Sequence, residues 1–435
     1  MSRNAVTLGL VALLAVFTAT PALGDDDSGI KIGDGRLHIS LDLQGRYDTF
    51  ATLDASGGPE GDFLFDIRPG LKLSIPSPTF AFDLSGDVDG VLYLNNPQLD
   101  RILADGALAI GINRSGVVGL DLGDQFTRAD NANMTALPFA IISDYNDANA
   151  KIGIRPGGGA LAIEPGFDFV YEHFEPVGSG AGFTTCTSGS PLCDPSQASL
   201  MDFYESKISL NLRWRFLPKT AILLGGDFIL VSYLNPGSHA SANAPMDLVD
   251  GTLGIAGLLT TRLEVVLKAG YAQTIINAGD IAAVPGLATA GDNRTLVGQA
   301  QLGYLFSETG SLKIGVLRLL NPAPTVLADY TDTRPYLNFR WLLGGKLTLH
   351  LDASFDLFNY ALDSAGSPAG RTDDLLRVDV GPEYEIVRWL RVAVGYDFTD
   401  LNSSDAADFA YQSNSIFGGA GYSNHEVYLR VTLVY

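Results

Sequence analysis

The sequence predicts an all-β fold, a transmembrane antiparallel up-and-down β-barrel of about 18 strands, and three observations lead there. Apolar residues make up 46% of the chain, yet they are spread over many short alternating runs. Past the N-terminus no stretch of about 18 apolar residues exists to cross a bilayer as a helix. The connections between the runs alternate between short and long, as the two rims of a membrane barrel require. Finally, the segment at Val427, Leu429, Val431, Leu433 and Tyr435 sets an apolar residue at every second position, with Tyr428, Arg430 and Thr432 between them. A period of two gives a strand with one oily and one polar face.

Residues 1–24 are expected to be a secretory signal peptide: Arg3 is the sole charge, Ala5 to Phe17 form the apolar stretch, and Ala22-Leu23-Gly24 offers small residues for cleavage. Residues 25–35, acidic and Gly-rich, read as a short flexible lead, and residues 36–435 as the barrel. The first strand, 36–50, places Leu37, Ile39, Leu41, Leu43 and Tyr47 on one face and His38, Ser40, Asp42, Gln44 and Arg46 on the other. The chain returns with Phe63, Phe65, Ile67, Leu71, Leu73 and Ile75 outward, turns at Pro76-Ser77-Pro78-Thr79, and continues with Phe80, Phe82, Leu84, Val88 and Leu92 opposite Asp83, Ser85, Asp87 and Asp89.

The same alternation marks strands near 106–113, 117–128, 146–155, 161–175, 201–216, 220–234, 246–259, 263–276, 293–306, 311–320, 331–342, 346–360, 373–386, 389–400 and 422–435. With the first three this makes 18, an even number as a single-chain barrel requires, and one merged or missed hairpin would make it 16 or 20. Aromatic residues gather where strands meet the longer loops: Tyr47, Tyr93, Phe126, Tyr171, Phe174, Tyr233, Tyr271, Tyr360, Tyr396 and Phe398. Rings with one wet edge suit the lipid–water boundary, so a girdle is expected there, although the parity of several of these rings points them inward.

Because a charge on the lipid face is costly, the polar parity of each strand must line an interior. Its acids include Asp227, Asp379, Asp397 and Glu426 and are densest at Asp83, Asp87, Asp89, Asp352 and Asp356, and its bases include Arg213, Arg215, Arg340, Arg377 and Arg391. These read first as a solvated ion-paired wall that keeps a pore open and, on a sharper reading, as the expected substrate path. The net charge of −21, from 49 acids against 28 bases, excludes nucleic acid as a partner, since no basic surface exists to neutralise phosphates. Cys186 and Cys193 are a candidate disulfide, the reading an exported chain favours, and the stapled stretch from Pro176 to Leu200 could act as a constriction. No nucleophile elbow, metal-ligand cluster or phosphate-binding Gly loop is present in the sequence, so neither catalysis nor a cofactor or metal is expected.

Two resemblances refine this. The C-terminal strand resembles the signature by which barrel-assembly machinery recognises outer-membrane β-barrels, which implies that machinery and outer-membrane lipids as partners. From Leu212 to Tyr233 the chain reads Leu-Arg-Trp-Arg-Phe-Leu-Pro-Lys-Thr-Ala-Ile-Leu-Leu-Gly-Gly-Asp-Phe-Ile-Leu-Val-Ser-Tyr, which resembles the repeated hairpin of the β-barrel porin 2 family, with weaker echoes at Tyr336 to Tyr360 and Glu383 to Phe398. Members include barrels of exopolysaccharide systems. The resemblance therefore implies a conduit for exported polysaccharide, working with a periplasmic or lipoprotein partner. A passive or sugar-selective porin is the alternative, and a sugar-selective one would show lumen-facing aromatics close together. A surface protein with adhesive loops is a third reading. An energised nutrient receptor is disfavoured, since it would need a plug and about 22 strands.

Overall fold

In the computed structural model, residues 29–53, 59–130, 141–176, 202–234, 245–276, 293–322, 329–361, 371–404 and 421–435 are described. A short β1 (Ile30–Ile32) precedes β2 (Gly35–Leu53), β3 (Pro59–Ile75), β4 (Phe80–Tyr93), β5 (Arg101–Ile112), β6 (Val118–Asp130) and β7 (Ile141–Ile154). Then come β8 (Leu161–Pro176), β9 (Phe203–Leu217), β10 (Thr220–Tyr233), β11 (Met246–Leu258), β12 (Leu263–Ile276) and β13 (Arg294–Ser307). The last six are β14 (Gly310–Pro322), β15 (Asp329–Leu343), β16 (Leu347–Tyr360), β17 (Arg371–Val387), β18 (Leu390–Ser403) and β19 (Gly421–Val434).

From β2 to β19 each strand pairs antiparallel with the next. The ring closes where β19 pairs with β2. Tyr435 and Ile39 exchange two backbone hydrogen bonds at this seam, of 2.8 and 3.2 Å. This is an 18-strand antiparallel barrel with no unpaired edge, so its wall satisfies its own backbone groups without water. Within the expected lead, β1 pairs with Gly35–Leu37 across a turn at Gly33 (φ 61°), which returns the chain onto the strand it has yet to begin.

The short connections, among them 218–219, 308–309 and 388–389, share one rim, and the strand ends that lead into the long ones, among them Pro176, Phe203, Ser403 and Gly421, share the other. At residues 344–346 the turn needs Gly344 (φ 56°) and Gly345 (φ 72°), since a left-handed backbone is strained for side chains with a Cβ. Asn113 takes φ 51° without being Gly and holds it by donating from Nδ2 to the Val118 carbonyl at 2.7 Å.

The outward face is apolar and uncovered. Val427 and Leu429 are about half exposed, as are Phe63, Phe65, Leu224, Leu267 and Val394. In water so wide an apolar surface would be a liability; in lipid it is what a barrel presents. Two aromatic belts bound it. Near the short-turn rim, Trp214 packs on Phe216, Phe306 stacks on Phe339 and meets Trp341 edge-on, and Trp389 lies exposed in the turn. Near the other rim, Tyr47 and Phe63 pair at 4.8 Å, and Tyr171 and Tyr271 stand exposed.

Four residues expected in the girdle belong elsewhere. Tyr93 and Phe358's neighbour Tyr360 join clusters inside the barrel, and Phe174 and Tyr233 flank Phe203 in a row with centroids 6.4 and 6.2 Å apart. All four share the parity of the polar interior. They lie toward the strand ends that lead into the long connections, where inner side chains pack on one another. Phe174 and Tyr233 are buried, 1% and 6% exposed, so this row offers a passing sugar little surface.

The same rim has a polar anchor. Asp62, fully buried, accepts from five N–H donors at 2.8–3.1 Å, the backbone and side-chain amides of Asn95 and Asn96 and the backbone N–H of Phe63. This tucks the 3-10 turn Pro97–Leu99 inward, where Leu99 packs on Leu64, Val91, Tyr93 and Ile142. Replacing Asp62 by Ala removes the acceptor of five donors, and the local loss should be about 2–3 kcal/mol. Amide exchange at Asn95 and Asn96 should then quicken about 30- to 150-fold, the same loss expressed as a rate. Unchanged exchange would mean that the apolar contacts of Leu99 alone hold the turn.

Candidate functional site

The interior wall is built from alternating positions, and register decides which of them meet. Starting at Asn338 on β15, the residues opposite one another on successive strands are Asp352, Asp379, Asp397, Glu426, Asp48 and Asp62. Six carboxylates thus stand side by side across β16, β17, β18, β19, β2 and β3. Like charges opposite one another are unfavourable in a sheet, and four of the six have a neighbouring partner. Asn338 donates to Asp352 at 2.6 Å, His350 lies 3.2 Å from Asp379, Arg46 holds Glu426 at 2.8 Å and Asp66 at 3.1 Å, and Asp62 is taken up by the asparagines.

Where the row begins, the wall carries a hollow of about 620 Å³ lined by Arg334, Tyr336, Asn338, Asp352, Arg377, Asp379 and Asp397. Tyr336 donates to Gln301 at 2.7 Å, which fixes its ring. Arg334 bridges Asp332 at 2.9 Å and Asp356, and Ser354 also donates to Asp356. The hollow therefore offers carboxylates to a cation and amide, guanidinium and phenol groups to hydroxyls.

The structure brings Asp352, Arg377 and Asp379 of the expected path into this hollow and sets Asp356 at its edge. The others are distributed around the barrel. On β4, Asp87 and Asp89 share Arg68 at 3.7 and 2.6 Å, and Asp83 accepts from Ser74 at 2.5 Å. Asp227 stands opposite Asp250, while Lys207 two residues along the neighbouring strand binds Asp168 at 3.2 Å. Arg391 reaches Glu385 at 3.9 Å and Glu383 at 4.0 Å near the short turns. Arg215 donates to the Gly159 carbonyl at 2.6 Å, Arg213 sits opposite Leu223, and Arg340 sits opposite His350. Wall pairs wetted by a channel are each worth about 1 kcal/mol or less, so their arrangement shapes the field more than the stability.

Arg334, Asp48 and Asp62 were not singled out from the sequence. Arg334 shares the parity of Tyr336, Asn338 and Arg340, a signal that was available; the two acids depend on the register of the rim. Cys186, Cys193 and the stretch 177–201 lie outside the described residues, as does the expected signal peptide. Among the described residues no group of three or more His, Cys, Asp or Glu is arranged to hold a metal ion.

No protein-family model matches the chain, and no curated protein matches it. Among solved structures it is similar to the copper transporter OprC, with 12% identity, 94% of this chain and 82% of that one covered, and a TM-score of 0.46. It is similar to OpdO of Pseudomonas aeruginosa, with 9% identity, coverage of 93% and 98%, and a TM-score of 0.46. It is also similar to OccAB3 of Acinetobacter baumannii, with 11% identity, coverage of 93% and 100%, and a TM-score of 0.43. At such values the likeness carries no argument about function; the barrel rests on its strand pairing.

Proposed function

We propose that this chain is a channel of the Gram-negative outer membrane, a passive pore for small hydrophilic solutes that favours cations. The observation that carries the reading is the run Asp352, Asp379, Asp397 and Glu426, the part of the carboxylate row before the buried Asp48 and Asp62, on the inner face of a closed 18-strand wall whose outer face is apolar. A barrel of 16–18 strands leaves an aqueous channel, and a ring segment of acids along such a channel raises the local cation concentration. Export through a cleaved signal peptide, and delivery by assembly machinery reading Val427, Leu429, Val431, Leu433 and Tyr435, belong to the same proposal.

Export of polysaccharide, with a periplasmic or lipoprotein partner, is supported only by the resemblance at Leu212 to Tyr233, the hairpin β9–β10. We place permeation of small solutes ahead of it. The hollow's hydrogen-bonding groups would serve a sugar hydroxyl as well as the hydration shell of a cation.

Purified protein added to a planar bilayer should give stepwise conductance, with a reversal potential of cation sign under a KCl gradient. Absence of conductance from folded barrels would overturn the channel, and an anion-sign potential would overturn the preference. Export is tested separately by surface polymer in a strain lacking the gene: normal polymer would remove that reading.

A further inference from the structure

We propose that the lipid-facing wall across β12, β13 and β14 holds one anionic lipid, its phosphate headgroup at Arg318. This goes beyond the channel reading but rests on it for the placement in a membrane. The inference begins with a break in the wall. The β13–β14 ladder ends at Gly298 opposite Arg318, so β13 continues for four more residues, 294–297, without a partner on β14. Arg318 fills the gap. Its Nε donates to the Leu296 carbonyl at 3.0 Å, Nη1 to Thr333 at 2.6 Å and Nη2 to Thr295 at 3.2 Å.

An arginine does the same at the end of the β5–β6 ladder. There Arg128, opposite Ala104, donates from Nε to the Ile102 carbonyl at 3.3 Å. The two differ in what neutralises them. Arg128 binds Asp144 and Glu175, each at 2.6 Å. Arg318 has hydroxyl and carbonyl partners, and no carboxylate lies within ion-pairing distance of it among the described residues. In a chain of net charge −21 this cation on an outward position lacks the acid its counterpart has. Each of its terminal nitrogens keeps one N–H to offer, a planar fork that suits a phosphate.

The surroundings fit the rest of a lipid. Opposite one another in register lie Leu253, Ala269, Gly298, Arg318 and Thr333. Ala269, Gly298 and Ala300 form the floor of a groove walled by Leu253, Leu267 and Val316, with Arg318 at its end. An acyl chain can lie on that floor. The height is right as well. Leu296, whose carbonyl Arg318 takes, stands opposite the exposed Tyr271 of the long-loop belt. Arg318 lies eight residues from Gly310 at the short turn, roughly 26 Å along a strand that rises about 3.3 Å per residue. With strands tilted about 35–45° this is about 20 Å of height, and at the level of the Tyr271 belt an arginine on a barrel's lipid face costs little while its stem can lie along apolar surface.

The test is native mass spectrometry of the detergent-solubilised barrel titrated with phosphatidylglycerol or with phosphatidylcholine of the same chains. The intact protein should take up one phosphatidylglycerol in preference. Arg318→Gln should weaken that binding roughly tenfold, the loss of one charge-assisted contact, while Arg128→Gln leaves it unchanged. Ala300→Leu, which fills the groove with Arg318 intact, should also weaken it, so the inference stays exposed even if Arg318→Gln fails to fold. Equal uptake of both lipids would overturn the site and leave the membrane barrel standing; uptake of neither would count against both. Competition by inorganic phosphate at equal potency would reduce it to an anion site and overturn the lipid.

Discussion

Replacing Asp352, Asp379 and Asp397 together by Asn should lower the cation-to-anion permeability ratio of the pore about tenfold at low salt. In water a unit charge about 7 Å from a passing ion is worth about 0.6 kcal/mol. Three in one row therefore amount to nearly 2 kcal/mol before screening, and part of it is lost to the neighbouring Arg334 and Arg377. Asn keeps the shape of Asp, so the wall should fold as before. The shift should shrink strongly in 1 M salt, where the Debye length is about 3 Å. Reversal potentials measured at two salt concentrations separate the cases. A ratio that does not move with the triple replacement would show that the ion path avoids this flank of the barrel. The same replacement at Asp83, Asp87 and Asp89 should do less, because Arg68 and Ser74 already engage that group.

Why the strands could be read from the sequence and the site only in part follows from what each depends on. Alternation is local. Within the lipid band every second residue must be apolar, so β12 was located at 263–276 and β16 to within one residue. Two starts were missed by five residues each: β5 begins at Arg101 and β7 at Ile141. There the strands rise above the band, where Arg101 meets Asp130 and Asp144 meets Arg128, and polar residues face both sides. A period-two signal fades where neither side is lipid.

The site depends instead on register, which a sequence does not print. Asp352, Asp379, Asp397 and Glu426 were each assigned to the interior by parity. That they stand level was not legible, because a turn one residue longer would shift every partner along the next strand. Arg318 escaped for the opposite reason: parity places it on the lipid face, where a charge is not expected, and only the broken ladder beside it explains its position. Parity already pointed several rim aromatics inward; that Tyr93 packs with Leu64, Val91 and Leu99, and Tyr233 with Phe203, depends on neighbours across the sheet that parity does not name.

The division of the wall into two faces makes its sharpest demand on a single substitution made twice. Val394 is about half exposed on the outer face, four residues from the start of β18, hence roughly 13 Å along the strand and near the middle of an apolar band about 25 Å tall. Val394→Arg should cost about 2–4 kcal/mol, the range for Arg at the midplane, and should visibly lower the yield of folded barrel. Thr252 faces inward, opposite Gly225 and Gly270, with Asp227 and Asp250 close by. An arginine there finds room, water and acids, so Thr252→Arg should change stability by less than about 1 kcal/mol. Urea unfolding from lipid vesicles, followed by the mobility of unheated samples in gels, measures both. Equal destabilisation at the two positions would mean that the outer face does not border lipid, and the channel would lose its membrane. A large difference in the expected sense fixes which side of the wall is dry, and the row of carboxylates is then on the side through which ions pass.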